Sequence, residues 1–242
     1  MTINPEFDPL GQAIYNYHFH NDNTPVIVQS DVIEDEELPP DYFFRKYNEM
    51  PLLERLALKH SHGKILDIGA GAGCHSMHLQ EKGFDVTSLD VSELSCNVMQ
   101  HRGLKKVINN DILSLNHCKF DTILLLMNGI GIAKDLKGLS VLLKHLKKIL
   151  EPDGTILVDS SDLIYLYEEE DGSILFDINS ANYYGEIEYK MKYRKIIGET
   201  FSWLFADNVI LFDIATKNGF DAKLLEYGPH YDYLAELKLK LL

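Results

Sequence analysis

The stretch Lys64-Ile-Leu-Asp-Ile-Gly-Ala-Gly-Ala-Gly73 limits this chain's fold more than any other. Ile65, Leu66 and Ile68 are aliphatic, and the stretch suits a buried strand. Gly69, Gly71 and Gly73, with Ala70 between the first two, then permit a tight turn in which backbone N–H groups reach a ligand without Cβ interference. The spacing predicts a helix from Cys74 to Lys82, which would place that turn at a helix N-terminus, where unpaired N–H groups collect. Strand, glycine turn and helix in this order point to a nucleotide-type cofactor.

Two details bear on which nucleotide. A dinucleotide fingerprint reads G-x-G-x-x-G. Here the third glycine comes one position early, and Cys74 stands where that pattern wants Gly or Ala. Asp67 lies two positions before the first glycine. An acidic residue followed by G-x-G-x-G resembles the first motif of the class I S-adenosylmethionine-dependent methyltransferases. The resemblance implies S-adenosyl-L-methionine as cofactor and S-adenosyl-L-homocysteine as product.

Later segments extend the pattern. Phe84 to Asp90 alternates like a strand and ends on a carboxylate about where an open α/β sheet places its ribose acid. Asp90, followed by Val91, would accept from both ribose hydroxyls; alternatively, Asp90 or Ser92 starts the helix 93–102 as its N-cap. A third strand at 106–109 leads into Asn110, Asp111 and Ile112. In the family an Asp here accepts from the adenine amino group, with Ile112 available to cover the ring, although Asn-Asn-Asp equally suits a surface turn. A fourth strand, Phe120 to Met127, ends at Asn128-Gly-Ile-Gly131. Ligands of open α/β sheets bind beyond the carboxyl ends of strands, which puts Met127 and Asn128 beside the cofactor and the methyl-accepting atom.

Leucines from Leu136 to Leu150 recur at helical spacing, Glu151-Pro-Asp-Gly154 breaks that helix, and Thr155 to Asp159 reads as a fifth strand. A helix over 208–217 and strands at 222–227 and 231–240 complete the order. The fold expected is α/β: a Rossmann-like sheet of seven strands, mostly parallel with the last antiparallel, and helices on both faces. The methyltransferase domain would span 60–242, with a β-hairpin insertion at 160–206 and an N-terminal extension at 1–59.

Composition narrows the partners. The net charge of −14 is unlike the basic face that nucleic-acid binding needs, so a small-molecule or protein acceptor is favoured over nucleic acid. The acidic runs at 34–37 and 168–171 read as solvated loops. Lys190, Lys192, Arg194 and Lys195 form one basic strip, which alternation with Tyr189, Met191 and Tyr193 explains as the wet face of a strand. No apolar run approaches the 18 or so residues of a membrane span. Three cysteines without metal spacing and no signal segment suggest the reduced cytoplasm. The histidine pairs lack a carboxylate or Cys cluster, so no metal is expected; His75 falls in the first turn after the glycines, near the cofactor's carboxylate end.

The two added segments should decide the substrate. Phe43, Phe44, Arg45 and Tyr47 would line the site if the extension folds over it, or else cover exposed core; Arg45 suits the cofactor's carboxylate or an acidic substrate. In the insertion, 186–194 and 200–205 predict a long hairpin turned at Gly198, with Tyr183 and Tyr184 entering it above the substrate. Asp159, Ser160 and Asp162 end the fifth strand. Asp159, Asn128 and Ser160 are candidates to hold or deprotonate an acceptor, whereas Ser160 and Asp162 would alternatively cap a short helix at 163–167. The Asn/Asp-Pro-Pro-Tyr/Phe motif of many amino-methylating enzymes is absent, which speaks against DNA-adenine or glutamine methylation. A non-catalytic cofactor-binding module and a NAD- or flavin-dependent oxidoreductase are the competing classes.

Overall fold

The computed structural model describes residues 2–30, 32, 34–168, 171, 173 and 182–240. The acidic run at 168–171 lies partly outside them. In chain order the described elements are α1 (Pro9–His20), β1 (Val26–Ser30), β2 (Glu36–Leu38), α2 (Leu52–His60), β3 (Lys64–Ile68), α3 (Cys74–Glu81), β4 (Asp85–Asp90), α4 (Glu93–His101), β5 (Val107–Asn109), β6 (Phe120–Leu125), α5 (Leu136–Ile149), β7 (Leu150–Ser161), β8 (Glu186–Tyr193), β9 (Ile196–Ile197), β10 (Phe201–Leu204), α6 (Asn208–Lys217), β11 (Phe220–Tyr227) and β12 (Asp232–Leu239).

Seven strands make the central sheet in the order β11-β12-β7-β6-β3-β4-β5. β5, β4, β3, β6 and β7 run parallel, and β12 inserts antiparallel between β7 and β11. Side chains alternate between two buried layers, as a sheet covered on both faces requires. Leu66 and Ile68 face α5 and α6, whose Leu139, Leu142, Leu146 and Leu211 fill one layer. Ile65, Leu124 and Leu157 face the other layer, built by Leu53, Ala57 and Leu58 of α2 and Leu79 of α3.

The extension and the insertion meet in a second, antiparallel sheet. β8 pairs with β10 on one side and with β1 on the other, and β2 adds to β1. Residues 159 to 165 positions apart in sequence thus share one ladder, with Ser30 opposite Tyr189 and Ile27 opposite Lys192. α1 packs across this sheet through Ala13 and across the first sheet's flank through Ile14. Asp8 starts that helix by accepting from the Gly11 N–H at 2.8 Å, ahead of Pro9 at its first position.

Several local expectations change. The 34–37 run is not simply a loop: Glu36 and Glu37 form an exposed edge strand, where charge discourages further strand pairing. β7 begins at Leu150 rather than at Thr155, because a register shift against β6 absorbs the Pro-Asp-Gly segment. β6 stops at Leu125, since Met127 and Asn128 both adopt left-handed backbone (φ 59° and 54°). The β8 hairpin reverses at Arg194 (φ 54°) rather than at Gly198, whose N–H instead donates to the Met191 carbonyl. The basic strip is exposed at Lys190, Lys192, Arg194 and Lys195, and Arg194 pairs with Asp22.

Candidate cofactor and acceptor site

The chain passes from β3 to β4 on one side and returns to β6 on the other, so strand order reverses between β3 and β6. A crevice opens beyond the carboxyl ends at such a switch point. The glycine turn lies there, with φ of 69°, 57° and 81° at Gly69, Gly71 and Gly73. Gly69 and Ala70 donate to the Leu89 carbonyl at 2.9 and 3.1 Å, which hangs the turn from β4. A Cβ on Gly69 would meet no atom within 4 Å, so this side of the turn leaves room for a ligand, whereas one on Gly73 would lie 2.6 Å from Leu104. One glycine keeps space open and the other permits packing.

Asp90 ends β4 and accepts from the Gly71 and Ser92 N–H groups, each at 2.8 Å. It is not the N-cap of α4; Ser92 is, accepting from Ser95 at 3.0 Å. Burial, partly offset by those two bonds, pushes the Asp90 carboxyl up to about 6. Each oxygen retains lone-pair capacity for a hydroxyl donor. The Val91 carbonyl accepts from Ile3, so the N-terminal strap occupies it. Beyond β5, Asn110 donates to the Asp90 carbonyl at 3.0 Å, Asp111 accepts from Leu113 at 2.9 Å as an N-cap, and Ile112 is buried.

Asp67 sits beneath the turn and accepts from the Ser76 hydroxyl at 2.7 Å, which in turn accepts from Ser88. His75 is buried rather than facing the crevice, with Nε2 2.6 Å from Glu54 Oε2. Burial opposes its charge, but Cys74, Glu54 and Asp67 outweigh that and hold the imidazole well above its ordinary range. Arg45 Nη2 donates to both Glu54 oxygens at 3.0 and 3.1 Å and lies 3.5 Å from Met127 Sδ, while its guanidinium stacks 3.5 Å from the Tyr42 ring centre. Sequence reasoning missed Glu54. The available signal was a carboxylate three and four residues before Ala57 and Leu58, on the apolar stripe of α2.

At the end of β7, Asp159 accepts from Met127 N–H at 3.0 Å and Asn128 N–H at 2.7 Å, and burial pushes it up to about 7 despite these bonds. It caps no helix; Asp162 does, accepting from Ile164. Ser160 is not a cap either: its hydroxyl donates to Asn128 Oδ1 at 2.8 Å and accepts from Ala206 at 3.0 Å. Asn128 Nδ2 donates to the Leu204 carbonyl, tying this turn to β10. A cavity of about 290 Å³ opens here, walled by Tyr42, Glu54, Met127, Asn128, Asp159 and Ser160 among others. Phe43 lies elsewhere: its ring covers Gly71, 3.3 Å from where a Cβ would stand. Tyr183 and Tyr184 donate to Asp207 and Asp162 at 2.7 Å each, bracing the entry to β8 against the start of α6.

Comparison with known proteins places this geometry. The family model described as "Tellurite resistance protein TehB" matches residues 36–161. A Bacteroides fragilis S-adenosylmethionine-dependent methyltransferase, solved in complex with S-adenosyl-L-homocysteine, is 42% identical, with a TM-score of 0.93 over 100% of this chain and 98% of that one. CcbJ methyltransferase of Streptomyces caelestis shares the fold at a TM-score of 0.60 and 12% identity, over 82% of this chain and 98% of its own. The Bacillus subtilis protein named "Putative methyltransferase YqeM" is 27% identical over 103 residues, which is 40% of this chain and 42% of that relative's length. The chain belongs to the TehB family and is a class I S-adenosylmethionine-dependent methyltransferase.

Proposed function

We propose that the protein transfers the methyl group of S-adenosylmethionine to a small molecule held in the cavity beside Met127 and Asn128. The observation that carries this reading is the cavity's place: it adjoins the switch-point crevice at the β6 and β7 ends and has the size of a small-ligand site. Its enclosure by Tyr42 from the extension favours a compact acceptor over a protein surface. The net charge of −14 disfavours nucleic acid. Among the described residues no helix is long and apolar enough to cross a membrane, which fits the cytoplasmic setting we infer.

The bound cofactor supplies an electrophilic methyl carried on a sulfonium. The chain's own work is to hold, orient and exclude water. In this reading the turn from Gly69 to Gly73 lies along the cofactor, Asp90 accepts from the ribose hydroxyls, and Asp111 with Ile112 receives the adenine. The described parts of the extension 1–59 and of the insertion 160–206 cover the methyltransferase domain 60–242 as one lid. Asn128 and Ser160 spend their polar groups on each other, Leu204 and Ala206, which favours acceptor positioning over proton transfer. Asp159 does the same for the Met127–Asn128 turn.

The test is parallel calorimetric titration with S-adenosylmethionine, S-adenosylhomocysteine and NAD, followed by a screen of small acceptors read by release of S-adenosylhomocysteine. Micromolar binding of the first two and turnover with a small molecule is expected. Turnover only with protein substrates would overturn the acceptor class.

A further inference from the structure

We propose that the methyl acceptor is an amine that enters the cavity as an organic cation, drawn there by Asp159 and Asp232. The inference names the acceptor class for the site described above and rests on that reading. The cavity of about 290 Å³ has three carboxylates in its wall, Glu54, Asp159 and Asp232, beside the Tyr42 ring, and no Lys, Arg or His among the described residues that line it. Glu54 is already answered by Arg45 and His75, so the sign of the cavity rests on the other two. Asp159 is 8% exposed and accepts from the backbone N–H groups of Met127 and Asn128 rather than from a cation. Asp232 opens β12 opposite Ser161 and accepts from the His230 N–H at 2.9 Å. Neither is ion-paired among the described residues. Carboxylates in a concave, poorly solvated wall draw in positive charge and repel negative charge. Burial pushes Asp159 up to about 7, and a cation beside it would offset that cost where an anion would add to it.

The state of the polar groups at the β6 and β7 ends selects the reacting atom. An alcohol must lose its proton to a base as it is methylated, yet both Asp159 oxygens already accept hydrogen bonds, and Ser160 donates to Asn128. A thiolate or carboxylate acceptor would bring negative charge against Asp159 and Asp232. An amine avoids both difficulties. It sheds one proton to water, and its nitrogen lone pair then forms the new C–N bond. The C–S bond breaks with its electron pair passing to sulfur, so the sulfonium becomes a thioether and the positive charge moves onto nitrogen. Carboxylates in the cavity wall favour that shift of charge. A second cavity, of about 400 Å³ and also walled by Tyr42, repeats the chemistry: Tyr17 and Phe44 stand with Asp41 and Glu49, and its Arg45 is taken by Glu54. Aromatic faces bind cations, as Tyr42 does with the Arg45 guanidinium at 3.5 Å. An amine with an aromatic tail suits both cavities.

The test is calorimetry on the full chain saturated with S-adenosylhomocysteine, using three probes of one size and different charge: 2-phenylethylamine, 2-phenylethanol and phenylacetate. Wild type should bind the amine about 10- to 100-fold more tightly than the alcohol, the range of a charge-assisted hydrogen bond, and phenylacetate most weakly. With S-adenosylmethionine in place of the product, the amine alone should release S-adenosylhomocysteine. Asp232→Asn should weaken the amine by about three- to tenfold while moving the alcohol and S-adenosylhomocysteine less than about twofold, a pattern that a merely structural loss would not give. Should that variant not fold, the wild-type ranking decides alone. Binding or turnover of the alcohol or the acid at the level of the amine, or no binding of any of the three, would overturn the amine assignment and leave the methyltransferase reading standing. If wild type does not bind S-adenosylhomocysteine, the cofactor reading itself fails and this inference with it.

Discussion

At the scale of single residues, the site depends on carboxylates kept where they are costly to ionise. In its proposed role Asp90 must be charged to accept two ribose hydroxyls, yet burial pushes it up to about 6. Cofactor affinity should therefore fall between pH 7.5 and pH 5.5, measured by calorimetry, and Asp90→Ala should remove most affinity at pH 7.5 with little change in circular dichroism. Asp159 behaves oppositely towards stability. Its folded-state value, about 7, exceeds the ordinary 3.8, so the folded protein holds the proton more tightly than the unfolded chain. The burial cost applies above pH 7 and is relieved as pH falls through that range; Asp90 and His75 act in the same direction. Ligand-free protein should melt higher at pH 6 than at pH 8. Asp159→Asn, which loses one of the two backbone acceptors, should cost about 1–3 kcal/mol and flatten that dependence. The position of Asp90 beside the glycine turn was legible because its distance from the glycines is a backbone constraint. The Arg45–Glu54–His75 chain was not, because its partners are set by how α2 and the extension pack.

At the scale of elements, the docking of one sheet on the other is carried by few contacts with little tolerance. A Cβ on Gly131 would lie 2.0 Å from Trp203 Nε1, so the turn after β6 is pressed against β10 with no room for a methyl. Gly131→Ala should destabilise by about 1–3 kcal/mol, read by denaturant titration, and should weaken acceptor binding more than cofactor binding. The extension is fastened at the opposite end of the crevice. Asp8 accepts from both Gly11 N–H and the Ser92 hydroxyl, joining the caps of α1 and α4. A double-mutant cycle of Asp8→Ala and Ser92→Ala should show a coupling of about 0.5–3 kcal/mol, and additive losses would show two independent caps. From α2 onward most helix and strand bounds were readable from periodicity to within a residue or two, but β7 begins five residues early, β9 was not read, and neither were α1, β1 and β2 in the extension. The shortened β6 and the turn after β8 reflect left-handed backbone at Met127, Asn128 and Arg194, stabilised by tertiary hydrogen bonds or a local turn that composition does not reveal, while β7 reflects a register shift against β6.

At the scale of the whole molecule, the two segments added to the cofactor domain behave as one structural unit. β8 has β1 on one edge and β10 on the other, so removing residues 1–30 would expose a long unpaired edge and uncover Ala72 and Val98 beneath Ile14. That truncation should give insoluble protein or a melting temperature lower by more than about 10 °C, as expected for losing several kcal/mol from a chain of this size. With the full chain, protease nicking between residues 22 and 35 should slow when S-adenosylhomocysteine is bound, because the extension overlies the glycine turn through Phe43. Equal rates would count against the extension acting as a lid.

The sequence by itself determined the parallel core, the order of its elements and the place of the glycine turn, because hydrophobic period, glycine position and chain order act locally and each constrains the backbone directly. Only the tertiary structure decided that residues 26–30 and 186–193 share a ladder and that Glu54 lies between a guanidinium and an imidazole. It also decided that Asp159 braces the turn after β6. Strand pairing across 159 to 165 positions and charge pairing inside a core depend on which surfaces remain to be covered once the central sheet has formed. That choice is made by packing between segments, and no single segment carries it.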